Sequence, residues 1–139
     1  MIRKWHLKAV VQKTISFLPN GHRLNHWFQK HVTKGVHLGD VYFYDRLEHA
    51  RAHFGAYERY CGRLEGVCSL ELGTGWYPVV PMSLFLKGAD TIHTVDISEL
   101  TTHAKLTDTL QRLVAAQDDD SLQKYYAPLP EREAQLRQV

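Results

Sequence analysis

The chain has 139 residues, of which 44% are hydrophobic and 23% are charged, as in an ordinary water-soluble globular protein. This length allows one domain with a hydrophobic core, and no apolar run approaches the roughly 18 residues that a membrane-spanning helix needs. The two cysteines, Cys61 and Cys68, form neither a CxxC motif nor a disulfide-dense pattern. With no apolar leader, we expect a cytoplasmic protein whose reduced thiols lie in or near the core.

Charge is distributed unevenly along the chain. Residues 1–39 contain seven Lys or Arg and no Asp or Glu, whereas the rest of the chain contains ten Lys or Arg and fifteen Asp or Glu. The first part therefore has a net charge of +7 and the second of −5, which together give the net charge of +2. Such an asymmetry indicates the kind of partner a segment can meet, because a basic segment attracts anionic surfaces.

Two helices are predicted in the basic segment. Residues 2–18 place apolar side chains at helical spacing and lysines elsewhere around the axis, and residues 19–21, "PNG", end this helix. A second helix is predicted at about residues 24–32. The first helix could dock its apolar face on the rest of the protein. Alternatively, residues 1–34 could contact a membrane surface, which would make the protein membrane-peripheral, or a nucleic acid.

A long helix is predicted from Asp40 to about Cys61, ended by Gly62 at its C-cap. Its apolar side chains recur at spacings of three and four residues. His49 and His53 lie one turn apart on it, but no further ligand or HExxH order accompanies them. A solvated helix face is therefore the preferred interpretation, and no metal site is predicted.

The remaining pattern predicts a mixed α/β fold. Residues 66–72 read as a buried strand, 79–87 as a helix ended by Gly88, and 91–97 as a second strand. Residues 100–116 read as a helix, 118–120 as a solvated acidic loop, and 129–139 as a helix that opens with Pro130.

The segment from the first strand to the second has the features of a ligand site. Gly73 and Gly75 allow a sharp turn and a close ligand approach, and the next helix directs its N-terminus to the same place. Asp96 ends the second strand, where an acid can bind ribose hydroxyls. Pro78 occupies the third position of a G-x-G-x-x-G motif, which disfavours a nicotinamide dinucleotide, and there is no phosphate-loop Gly-Lys.

The sequence "ELGTG", followed by an acid at the end of the next strand, resembles motif I and the strand-two acid of class I S-adenosylmethionine-dependent methyltransferases. The resemblance covers about residues 67–98 and implies S-adenosylmethionine as cofactor. It implies that the loop of Gly73, Thr74 and Gly75 passes beneath the methionine part of the cofactor. It further implies the roles of three flanking side chains: Glu71 faces the cofactor amino group, Asp96 holds the ribose hydroxyls and Ile97 packs on the adenine. The bulky residues 76–78 depart from the family pattern.

A complete methyltransferase sheet needs more strands than the two predicted here. We therefore expect an N-terminal helical cap, residues 1–62, followed by the first, incomplete part of a Rossmann-like parallel sheet, residues 63–139. The expected protein is the N-terminal part of a longer methyltransferase, a truncated relative, or a chain whose sheet a partner chain completes. It would be inactive alone, and the methyl acceptor, catalytic residues and oligomeric state (homo-oligomer or heteromer) stay open. The alternative is a non-enzymatic basic helical module that binds a membrane or nucleic acid.

Overall fold

A computed structural model describes residues 13–14 and 37–138 of the chain. The chain separates into two compact units, Met1–His37 and Leu38–Val139. Within the first, Lys13 and Thr14 are helical and exposed. The rest of the predicted helices at 2–18 and 24–32, and with them the membrane or nucleic-acid surface predicted for residues 1–34, lies outside the described residues.

The second unit contains helices, two strands and short connections. In chain order these are α1 (Asp40–Tyr60), β1 (Cys68–Leu72), α2 (Val79–Leu86), β2 (Thr91–Val95), α3 (His103–Asp118), a 3-10 helix (Leu122–Lys124) and α4 (Pro130–Leu136). In the part of the chain that the structure describes, no helix is both long and apolar enough to cross a bilayer.

Helix α1 follows from the spacing of its apolar residues. Its buried side chains recur every three or four residues and form one stripe that faces the core: Phe43, Leu47, Ala50 and Phe54. Asp40 in the first turn complements the positive end of the helix dipole. Gly62, with φ of 108°, takes the left-handed conformation that commonly ends a helix. The predicted helix is confirmed. It lies in the second unit, where it packs against α2.

The sheet consists of two parallel strands, with Cys68 paired to Thr91 and Leu72 paired to Val95. Helix α2 connects them and packs against β2. Gly88, with φ of 122°, makes the turn from α2 toward β2. This strand–helix–strand arrangement confirms a mixed α/β fold.

The core lies among the helices. It is built mainly from α1, α2 and α3. It also contains Leu122 of the 3-10 helix, Leu136 of α4, and Tyr126 in the connection between these two elements. The sequence pattern predicted neither the 3-10 helix nor the burial of Tyr126. Helix α3 begins three residues later than predicted because the Thr102 side chain accepts a hydrogen bond from the Lys105 amide at 3.4 Å and caps it.

The prediction that β1 is a buried strand is wrong. Paired residues of parallel strands point to the same face of the sheet, so Leu70, Leu72 and Val95 share one face. These three residues are 62%, 75% and 54% exposed, respectively. The core contacts the opposite face, through Ile92. Both cysteines are also exposed, contrary to the prediction of core thiols: Cys61 follows α1, and Cys68 lies on the exposed face.

Candidate functional site

The loop after β1 is held in a conformation that glycine adopts easily. Gly73 and Gly75 have φ values of 82° and 74°, in the left-handed region, where other residues are strained. The Gly73 amide donates a hydrogen bond of 2.7 Å to the Val95 carbonyl, which ties the loop to the end of β2. A Cβ atom added to either glycine would meet nothing within 4 Å. The loop therefore presents bare backbone to open space at the carboxyl edge of the sheet.

Asp96 lies directly beside this loop. Its Oδ2 accepts a hydrogen bond of 2.8 Å from the Gly75 amide, and its Oδ1 accepts one of 3.3 Å from the Ser98 amide. The Thr101 hydroxyl donates to the Gly75 carbonyl at 2.8 Å. Asp96 and Gly75 are 21 residues apart in the chain, so these bonds bring together the two parts of the predicted site. Asp96 thus orients the loop as well as offering oxygen atoms to a ligand.

Glu71 is half-buried at the end of β1, two residues before the loop. Burial raises the pKa of its carboxyl group, and the negative charge of Asp96 acts in the same direction. The nearby Thr74 hydroxyl and the positive fields of His53 and Arg46 oppose this rise. The Thr74 hydroxyl is near enough to Glu71 to favour its charged form. Neither Thr74 Oγ1 nor Glu71 Oε2, however, forms a hydrogen bond of good geometry with any described residue. Because both atoms are buried, they are ready partners for a hydrogen-bonding ligand.

The residues after Gly75 pack against the helices of this unit. Tyr77 is buried, with its ring edge-on to Tyr42 at a centroid distance of 6.4 Å. Trp76 is half-buried, and the Lys105 ammonium lies 3.8 Å from its ring centroid. Pro78 then forms the N-cap of α2. These bulky residues therefore contact the helices α1 and α3 and begin α2.

Ile97 differs from the other predicted site residues because its side chain is 98% exposed. It lies just beyond β2 and next to Asp96 in the chain. The sequence reasoning missed Ser98 and Thr101, although their polar side chains follow the second predicted strand and could have indicated hydrogen bonds to the loop.

The two histidines of α1 lie on its exposed surface. His49 Nε2 is 3.9 Å from an oxygen of Asp45. His53 is exposed and lies near enough to Glu71 to act on the pKa of that carboxyl group. Among residues 13–14 and 37–138 there is no group of three or more His, Cys, Asp or Glu side chains that could hold a metal ion.

Comparison with protein-family models, curated protein sequences and solved structures found no match to this chain. The interpretation of the site therefore depends on its own residues and their geometry.

Proposed function

We propose that residues 67–98 form part of an S-adenosylmethionine site and that the chain is the cofactor-binding portion of a class I, Rossmann-like methyltransferase. The observation that carries this proposal is the bare loop of Gly73 and Gly75, with the half-buried Glu71 two residues before it in the chain and Asp96 hydrogen-bonded to it. A sulfonium nucleoside without phosphate groups suits a glycine loop that has no lysine or arginine of its own.

Each chemical part of such a cofactor has a counterpart among these residues. The half-buried Glu71 carboxylate suits an ammonium group, because a positive charge compensates for its desolvation. Asp96 suits a ribose diol, because its oxygens accept hydrogen bonds and already lie at the loop. Ile97 offers an exposed apolar surface to one face of the adenine, while the Gly73, Thr74 and Gly75 backbone allows the methionine part to approach closely.

The proposed reaction is methyl transfer to a nucleophile. S-adenosylmethionine supplies a methyl group that its positive sulfur already activates, so the protein has mainly to position the reactants and exclude water. In this chain Glu71 and Asp96 would orient the cofactor at its two ends. The described residues suggest no catalytic base and no acceptor contact.

We further propose that this sheet is incomplete and that the chain is inactive alone. Parallel sheets are normally covered on both faces and have more than two strands. Here one face is open, with Leu72 75% exposed and Val95 54% exposed. The missing strands and acceptor site would come from a further part of a longer polypeptide or from a partner chain.

Calorimetric titration of the chain with S-adenosylmethionine and S-adenosylhomocysteine tests the cofactor proposal. We expect saturable binding of both, and we expect Asp96→Asn, which keeps an oxygen near Gly75 but removes the charge, to weaken it about tenfold, because a charged hydrogen bond is lost. The matched control is Asp90→Asn, at an exposed carboxylate between α2 and β2 that pairs with Arg132. Equal affinities of Asp96→Asn and the unmodified chain would exclude the proposed ribose site.

A further inference from the structure

An open groove runs along the outer edge of β1, between this strand and α1. It has a volume of about 610 Å³ and is lined by every residue from Val67 to Gly73, with Arg46, His53 and Phe54 on the opposite wall. Side chains alternate between the two faces of a strand, so a groove on one face would meet every second residue only. A groove that meets consecutive residues follows the backbone edge.

This edge has the features of a strand that accepts a neighbour. In the described part of the chain β1 pairs with β2 alone, on its other edge. Exposed edges are usually protected by proline, by charged side chains, especially lysine, or by an irregular backbone, and the β1 sequence "CSLEL" has a single charged residue, Glu71, and no proline or lysine. Because β1 is extended over five residues, its outer amide and carbonyl groups can form a ladder with an added strand.

We propose that this groove binds an extended, apolar segment of a partner protein that has no acidic residues and pairs with β1 as an added strand. This inference deepens the proposal that the sheet is completed from outside residues 63–139, and it rests on that part alone. It does not depend on the cofactor.

The walls of the groove define the chemistry of the segment. Side chains that point toward the helices would meet Phe54, Val80 and Leu84. Side chains that point the other way would extend the exposed surface of Leu70 and Leu72. Apolar residues are therefore favoured on both faces, which gives the continuous apolar run typical of a strand inside a parallel sheet.

Acidic side chains are disfavoured in the partner segment, because the Arg46 guanidinium that lines the groove is already paired and the groove also contains the Glu71 carboxylate. The Arg46 guanidinium donates to Asp45 Oδ2, with Nε at 3.1 Å, and His49 is close to the same carboxylate. One hydrogen-bonding side chain is favoured, because the buried Ser69 Oγ has no partner among the described residues.

A second copy of this chain fits the groove less well. Its β1 would bring a second Glu71 carboxylate into a groove that already contains one, and like charges on neighbouring strands are destabilising. Its β2 offers two apolar side chains, Ile92 and Val95, and Ile92 is already packed against the core.

Selection of peptides of about eight residues from a random phage-displayed library on the immobilised full chain tests this inference. We expect enrichment of sequences rich in valine, isoleucine, leucine and aromatic residues, without proline and without acidic residues. The enriched peptide should protect from hydrogen exchange those amides of Cys68–Leu72 that face the outer edge of the sheet. Methylation of alternate peptide nitrogens should weaken its binding at least tenfold, because it removes the ladder hydrogen bonds.

Two variants of α1 provide the matched comparison. His53→Trp fills the groove and should abolish peptide binding, whereas Ala52→Trp, on a residue outside the groove, should leave it unchanged. Acidic or proline-rich consensus peptides, full binding by the methylated peptide, protection elsewhere, or equal effects of both variants would overturn the inference. So would a concentration-dependent dimer that protects β1. Cofactor titration of the same preparations separates the proposals: peptide binding without cofactor binding contradicts the cofactor site alone, and the reverse contradicts the groove alone.

Discussion

Removal of the Asp96 carboxylate should loosen the glycine loop even in the absence of a ligand. In Asp96→Ala the Gly75 amide loses the oxygen that lies 2.8 Å away, and the weaker bond from the Ser98 amide at 3.3 Å is lost as well. The loop would keep its connection through the Gly73 amide and through the Thr101 hydroxyl. We therefore expect local destabilisation without loss of the fold.

The magnitude follows from the burial of the groups involved. A hydrogen bond to a charged acceptor contributes about 1.5–3 kcal/mol when it is well buried. Asp96 and Gly75 are both only half-buried, so water can reach the freed amide and replace part of the bond. We expect Asp96→Ala to lower the free energy of unfolding by about 1 kcal/mol, and Asp96→Asn, which retains an acceptor oxygen, by less than about 0.5 kcal/mol.

Urea denaturation followed by circular dichroism measures both variants, and amide hydrogen exchange locates the effect. Exchange should accelerate at Gly75 and Ser98 in Asp96→Ala, and it should stay unchanged in α4, which is remote in the chain. A loss below about 0.3 kcal/mol, within the usual uncertainty of such comparisons, together with unchanged exchange at Gly75 would refute the structural role given to Asp96.

Three further predictions concern packing and pH. In urea denaturation, Gly88→Ala should lower the free energy of unfolding by about 1–3 kcal/mol, because φ is 122° and the new Cβ would lie 3.0 Å from Leu129 Cδ1. Gly55→Ala in α1, where a Cβ would meet nothing within 4 Å, should raise it by about 0.5–1 kcal/mol. Changes of the same sign in both variants would contradict this prediction. Leu47→Ala, at a fully buried position, should lower the free energy of unfolding by about 2–5 kcal/mol. Leu72→Thr, at a side chain that is 75% exposed, should change it by less than about 0.5 kcal/mol and should reduce aggregation measured by light scattering. Equal losses of stability would show that the face of β1 is covered. Burial raises the pKa of Glu71 in the folded state above its value in the unfolded state. Between these two pKa values the folded state binds more protons, so stability is lost as the pH rises through this window. Glu71→Gln should remove that loss, and the same pH dependence of stability in the variant and the unmodified chain would contradict the raised pKa.

The order of elements in the second unit could be predicted from the sequence because local signals are strong there. The apolar stripe of α1, Gly62, Gly88 and Pro130 each correspond to an observed helix, turn or helix start. The approach of Gly75 to Asp96 could also be expected, since the ends of two adjacent parallel strands lie at one edge of the sheet.

Burial could not be predicted in the same way, because it depends on what covers each face. The apolar residues of β1 indicate a strand inside a sheet, yet Leu70 and Leu72 are exposed because α2 lies on the other side. The 3-10 helix was missed because its single buried residue, Leu122, gives no periodic pattern. The raised pKa of Glu71 likewise depends on its burial in three dimensions.

The most direct test of the cofactor site is a nuclear magnetic resonance titration of the isotope-labelled full chain with S-adenosylhomocysteine. We expect saturable shifts of the Gly73, Gly75, Asp96 and Ile97 amide signals, with affinity reduced about tenfold in Asp96→Asn. A folded chain whose signals at these residues do not move at about 1 mM ligand, or move equally in both proteins, would contradict this expectation.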